Sequence, residues 1–278
     1  MKLGRFFCLI IITLILVAPF SAMAATASKT AVKKPVLPSV TYIKTVNGKV
    51  TASSQADKQL PPASMTKLMT ALVVLDAKPD WSKKVTIIQD YLDYPKLFVG
   101  NDVTSEVGLR VGDTMTVYDL WVAMLVASSN QSARALVDAV GLPYNTFLQK
   151  MNAKAKALGL KKTVFKDVAG LNENTLTTAK EMAVIAKEAF SQSAIVRASS
   201  VGAYTIVTTQ ADGNWREIPV VDRNYSLQQF TPDACKTGYL VEAQRTVSLK
   251  KGNIIVVIMH AISMAQRNSI LQKLLFNS

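Results

Sequence analysis

Three short polar clusters stand in otherwise apolar surroundings, and each holds groups able to take part in acyl transfer. The first is Ser64-x-x-Lys67, within PPASMTKLMTALVVLD. Residues three apart lie on one face of a helix, so the hydroxyl and the amine can meet. A serine hydroxyl needs a base before it attacks a carbonyl, and a lysine supplies one when burial and a second cation lower its pKa. A serine at the start of the helix also meets the positive end of the helix dipole, which favours a developing oxyanion. An N-cap serine followed by a surface lysine would have the same pattern. Here, however, Lys67 is flanked by Thr66, Leu68, Met69 and Leu72, in a segment with no polar face to display it. A buried lysine requires a reason.

The second cluster, Ser128-Ser129-Asn130, ends the apolar run LWVAMLVA. Ser128 is placed to relay a proton, and Asn130 to accept from Lys67 and donate to a substrate amide; a simple C-terminal cap is the plainer alternative. The third is Lys236-Thr237-Gly238 on an expected strand, where a cation and a hydroxyl face the site and the glycine lets a substrate backbone come close. By itself this triplet is ordinary.

Other chemistries find little support. His260 is the only histidine, so a Ser-His-Asp triad would need a serine that no motif marks, and a histidine metal site has no second ligand of that kind. His260 is expected to be a structural residue at a strand end. Asp233 with Glu242, and Glu173 beside Asn172 and Asn174, have no spacing that favours glycosidase geometry over solvated loops.

The elements that must position these clusters follow from the pattern of the chain. Lys2 and Arg5, the apolar run from Phe6 to Val17 and Ala22-Met23-Ala24 form a secretory signal with a cleavage site after residue 24. The run is shorter than the roughly 20 residues a membrane span requires, so no permanent anchor is expected there. Residues 25–38 read as a flexible leader, and 39–278 as one domain. Cys8 leaves with the signal, so Cys235 alone remains and no internal disulfide can form.

The formal charge is +13, of which the signal removes two positives. A basic exported protein suits an anionic partner such as a cell wall rich in peptide carboxylates. The sequence has no zinc spacing, recognition-helix pattern or aromatic RNA signature, so nucleic acid is not the expected partner.

A strand, the turn Asn47-Gly48 and a return strand open the domain. The segment from Ser64 is apolar on nearly every face, as a helix through the middle of a core would be. Thr116 and Asp119 form a capping box before the next helix. Pro143 and Thr146 open another, and Thr178 with Glu181 caps a further one. From Ala203 onward the pattern is β-rich, and Gln266 to Phe276 closes the chain as an amphipathic segment. The expected fold is α+β: an antiparallel sheet from about 39–60 and 200–278, with a mostly helical region over about 64–198 packed on its faces.

Taken in order, S-x-x-K at 64, S-x-N at 128 and K-T-G at 236 match the serine β-lactamase and penicillin-binding set. The chain resembles the low-molecular-mass penicillin-binding proteins, the D-alanyl-D-alanine carboxypeptidase family (peptidase family S11), over essentially its whole length after the signal. PPASMTKLMTALVVLD, MLVASSNQSARALVD and CKTGY look like the three motif blocks, and MNAKAKALGLKKTVFKDVAGLNENTLTTAKEMA like the middle segment.

The resemblance implies a β-lactamase/transpeptidase-like fold and no cofactor. It implies Ser64 as the acylated nucleophile, Lys67 as its base, and Ser128 and Asn130 in proton relay and substrate binding. Lys236 and Thr237 would hold the terminal carboxylate, with Arg267 helping, and Gly238 would admit the substrate. The backbone N–H groups of Ser64 and Tyr239 would form the oxyanion hole. Peptidoglycan peptides are the implied substrate, β-lactam antibiotics the implied covalent inhibitors, and the periplasm or cell-wall space the implied location.

Three positions depart from the family pattern: Ser129 stands where glycine is frequent, Leu240 where threonine is common, and Gln244 where glycine is frequent. The chain ends soon after its last helix, like the short endopeptidase-type members. Two other readings share these motifs. One is a class A β-lactamase, for which Glu173 would have to direct the deacylating water. The other is a catalytically silent wall-binding protein.

Overall fold

The computed structural model describes residues 40–210 and 212–276; the expected signal and leader lie outside them. The opening hairpin pairs β1 (Thr41–Val46) with β2 (Lys49–Ser54). Asn47 and Gly48 both take positive φ, 52° and 76°, as a type I′ turn demands. β1 then pairs antiparallel with a strand from the far end of the chain, β9 (Ile254–Ala261), Thr41 opposite Met259 and Val46 opposite Ile254. β8 (Gln244–Lys251) and β7 (Ala234–Leu240) complete a five-stranded sheet in the order β2-β1-β9-β8-β7. The Lys236-Thr237-Gly238 triplet therefore sits on an edge strand, with one side free.

The sheet is covered on both faces because its strands are apolar on both. Ile43, Val257 and Met259 join the core beneath the helices. Their neighbours Val256, Ile258 and Leu249 point the other way, to Leu271, Leu274 and Leu275 of α9 (Met264–Phe276).

Between the two ends of the sheet runs the helical region. α1 (Lys67–Asp76) is buried from Lys67 through Val74, as its all-round apolar sequence predicts. The short helices α2 (Gln89–Asp93) and α3 (Lys96–Val99) follow. α4 (Val117–Leu125) begins at the predicted capping box, Thr116 Oγ1 accepting from Asp119 N–H and the Asp119 carboxylate from Thr116 N–H. α5 (Asn130–Ala139), α6 (Tyr144–Ala157), α7 (Ala179–Ala189) and α8 (Ser193–Ser199) pack around them. Thr178 accepts from Glu181 N–H at the start of α7, as expected.

The β-rich segment after Ala203 divides between two sheets, which corrects the expectation of a single sheet from 200 onward. β5 (Ala203–Thr209) and β6 (Trp215–Val221) pair with each other and, through Thr114 opposite Thr209, with β4 (Thr114–Thr116) and β3 (Lys84–Thr86). Their alternating burial marks them as strands with one wet face, but alternation does not name the partner strand. β3 and β4 have three residues each, too few for a periodic signal. Asp113, fully buried beside β4, is held by the Arg216 guanidinium of β6 and ties this sheet together.

Candidate active site

Ser64 lies on a 3₁₀ turn, Ala63–Thr66, that precedes α1, rather than on the α-helix itself. The tighter turn eclipses side chains three apart, and Lys67 Nζ comes to 2.9 Å from Ser64 Oγ. Ala63, just before the serine, adopts φ +50°, a conformation costly for a residue with a Cβ and held here by its surroundings. Gly170 provides part of that hold. A Cβ on it would stand 1.9 Å from the Ala63 carbonyl oxygen, so only glycine lets the two backbones meet.

Lys67 is completely buried and makes two further hydrogen bonds, to Asn130 Oδ1 at 2.7 Å and Ala169 O at 2.9 Å. Both are carbonyl oxygens, which only accept. A neutral amine has two hydrogens and one lone pair. As an ammonium Lys67 donates to Ser64 Oγ as well; once deprotonated, it keeps its two hydrogens on the carbonyls and turns its lone pair to the Ser64 hydroxyl. Burial, and then the Lys236 cation, hold the Lys67 pKa well below the ordinary lysine value, while Glu106 and Asp167 pull the other way.

Ser128-Ser129-Asn130 bridges α4 and α5. Ser129 is the N-cap of α5, accepting from Ser132 N–H, so the triplet opens a helix as well as closing one. Ser128 is buried with φ +62°, and its Oγ accepts from Lys236 Nζ at 2.8 Å. Burial lowers the Lys236 pKa to about 8, so at neutral pH it remains mainly an ammonium and only donates. The Ser128 proton is then free to point into the cleft that this residue lines. Asn130 spends its Nδ2 hydrogens on Glu106 Oε1 and Ser105 O, at 2.9 and 3.4 Å, so the donor expected for substrate is already occupied.

The edge strand β7 closes the other side. Gly238 lies so near the nucleophile that a Cβ there would meet Ser64 N and Thr246 Oγ1 at 2.7 Å each. Lys236 is fully buried and is absent from the cleft lining, whereas Thr237, Gly238 and Tyr239 line it. Lys236 therefore acts on the cleft through Ser128 and its own charge. Thr237 is fixed by Asn224, whose Oδ1 accepts from both its N–H and its hydroxyl.

The cleft, of about 680 Å³, also holds Arg223, Arg245 and Arg267. Arg267 is 3 % exposed and donates to Ser226 Oγ at 2.8 Å. Its pKa is pushed down to about 10 by burial and then by Arg245. Arg245 stacks over the Tyr239 ring at 4.0 Å. Glu173 is exposed on the rim.

All nine residues expected from the sequence thus gather around one cleft. Glu106, Asp167, Ala169 and Asn224 were missed: no motif marks them, and Ala169 contributes only its backbone. His260 is buried at a strand end with φ +62°, as its structural reading implied. Gln244 adopts φ +53°, which explains why a glycine suits that position.

The family model described as D-alanyl-D-alanine carboxypeptidase, peptidase family S11, matches residues 28–263. The chain belongs to this family of serine peptidases. Among family relatives it is 32 % identical over 244 residues to the D-alanyl-D-alanine carboxypeptidase DacF of Bacillus subtilis, covering 85 % of this chain and 60 % of that one. It is 33 % identical to the D-alanyl-D-alanine endopeptidase of Escherichia coli, covering 62 % and 54 %. The chain thus spans rather more than half the length of these relatives. The crystal structure of a Streptomyces DD-transpeptidase superposes with a TM-score of 0.76 at 29 % identity, over 87 % of this chain and 97 % of that one. The expected β-lactamase/transpeptidase-like α+β fold is therefore the fold observed. Arg267 lies beyond the matched span.

Proposed function

We propose that the chain is a serine D-alanyl-D-alanine peptidase acting on peptidoglycan stem peptides, and that penicillins acylate it. The observation that carries this reading is the buried Lys67 amine, held within hydrogen-bond distance of Ser64 Oγ and of two carbonyl oxygens, Asn130 Oδ1 and Ala169 O. Ser64 attacks the carbonyl of the penultimate D-alanine while its proton passes to Lys67, and the tetrahedral oxyanion is met by the N–H groups of Ser64 and Tyr239. The bond to the leaving amine then breaks as Ser128 delivers its proton to it and is reprotonated by the Lys236 ammonium, leaving an ester on Ser64. Water reverses the sequence and frees the acid.

Arg267 binds the carboxylate of the leaving residue, joined by Thr237 when its hydroxyl turns from Asn224 to the cleft, Gly238 gives the substrate backbone room, and Lys236 orients Ser128. Asn130 serves chiefly by fixing Lys67. Residues 1–24 direct export to the periplasm or cell-wall space and are cleaved, so that 39–278 act there as one peptidase domain. N-terminal sequencing of the exported protein checks this.

A fluorescent penicillin should label the wild type stoichiometrically and fail with Ser64→Ala. Mass spectrometry of digested muropeptides then defines the reaction: trimmed pentapeptides mean carboxypeptidase, and dimers split to monomers mean endopeptidase. Rapid penicillin turnover would replace the peptidase reading with a β-lactamase, and an unlabelled wild type would favour a silent wall-binding protein.

A further inference from the structure

Neither acceptor of Lys67 is self-supporting: each is aimed by a carboxylate that makes no hydrogen bond to the lysine. We propose that Glu106 is a positioning residue for the lysine base, fixing the Asn130 amide so that Oδ1 rather than Nδ2 faces Lys67. This rests on the reading of Ser64 and Lys67 as nucleophile and base.

An asparagine amide is nearly symmetric in shape, so its orientation is decided by its partners. Glu106 takes four donors. Oε1 accepts from Thr104 Oγ1 at 3.0 Å and Asn130 Nδ2 at 2.9 Å, and Oε2 from Ser129 Oγ at 2.9 Å and Gln131 N–H at 3.1 Å. An ionised carboxylate only accepts, so Asn130 must turn its NH₂ toward Glu106 and its carbonyl oxygen toward Lys67. Three of these four bonds anchor residues 129–131, directly after Ser128 with its positive φ.

Asp167 plays the matching part on the other side. Its Oδ2 gathers the N–H groups of Ala169, Gly170 and Leu171 at 2.7–3.0 Å, which shapes the turn presenting Ala169 O to Lys67. Asp167 is fully buried, whereas Glu106 is half-buried on a loop and is the one open to substitution. The charged groups facing Lys67 are Lys236 from β7, Glu106 from the loop before β4, and Asp167 from the turn after α6.

A glutamine at 106 brings an NH₂ among these donors. Turned toward Asn130, it forces that amide to flip and puts an N–H against Lys67; turned away, it leaves Gln131 N–H without its acceptor. Glu106→Gln should slow penicillin acylation on the order of 100-fold, as a displaced reacting group does. It also removes a negative charge that raises the Lys67 pKa, so the acid limb of the acylation rate should move to lower pH. Glu106→Asp keeps the charge but shortens the reach: the rate should fall and the limb stay.

The test is acylation rate against pH for wild type and both variants, alongside melting temperature. Wild-type rates in both variants, or a slow Glu106→Gln with lowered melting temperature and an unmoved limb, would overturn the positioning role. If Glu106→Gln is recovered only as aggregate, Glu106→Asp carries the test, and a wild-type rate there overturns it. If the wild type is not labelled, or Ser64→Ala is, the peptidase reading fails and this inference falls with it. Labelled wild type, silent Ser64→Ala and unaffected Glu106 variants would overturn this inference alone.

Discussion

Lys236 Nζ donates to Ser128 Oγ at 2.8 Å, joining the edge strand of the large sheet to the loop between α4 and α5. The same cation lowers the Lys67 pKa without a bond to it. Its charge and its hydrogen bond are thus two separate contributions to one site. Lys236→Met should lose both. Penicillin acylation is expected to fall by a factor of about 100 to 10,000, the usual scale for disturbing positioned proton transfer. The acid limb of the rate should move to higher pH, since Lys67 then holds its proton more tightly. A rate–pH profile with the limb unmoved would remove Lys236 from the electrostatics of the base.

Stability should depend on pH through the same lysine. Lys236 titrates near 8 in the folded chain against 10.5 for an ordinary lysine. Between those values the unfolded chain binds more protons, so unfolding free energy rises with pH from about 8 to 10.5 and carries no slope from this group below that window. Lys67, also depressed, contributes with the same sign. Urea titrations across pH 8 to 10.5 should show a rise in the wild type that is smaller in Lys236→Met.

Gly238→Ala tests the closeness of strand and nucleophile. The added methyl would stand 2.7 Å from both Ser64 N and Thr246 Oγ1 and 2.9 Å from Ala63 Cβ, so β7 or the 3₁₀ turn must give way. A displacement of that size costs about 1–3 kcal/mol of overpacking and on the order of 100-fold in acylation. Chemical denaturation and penicillin labelling measure the two effects; an unchanged acylation rate would mean that the turn relaxes without moving Ser64.

Arg267 is buried in the cleft wall, hydrogen-bonded to neutral partners, Ser226 and Asn268. A guanidinium so placed suits a carboxylate. Arg267→Leu should lower kcat/KM for a peptide ending in a free carboxylate by about 100-fold, while the same peptide with an amidated C-terminus should change little. Equal losses on both peptides would assign Arg267 a purely structural part.

The positions of Ser64, Lys67, Ser128, Asn130 and the 236–238 triplet were legible in the sequence because each motif is short and local. Its side chains are set by one turn or one strand, and their order along the chain narrows the chemistry. The hairpin at Asn47-Gly48 and the capped helices were legible for the same reason, since caps and tight turns are decided within a few residues.

Tertiary structure alone decided the rest. Whether β5 and β6 join the large sheet or a second one depends on pairing Thr209 with Thr114, a contact across most of a hundred residues that local alternation does not encode. Lys67 owes its depressed pKa to burial and to Lys236, and its orientation to Glu106 and Asp167 acting through Asn130 and a backbone carbonyl. The sequence by itself determined which groups could react; packing determined that Lys67 is buried against Ser64, Asn130 and the Ala169 carbonyl with its pKa held down, because proton affinity and hydrogen-bond direction are properties of the surroundings a side chain is folded into.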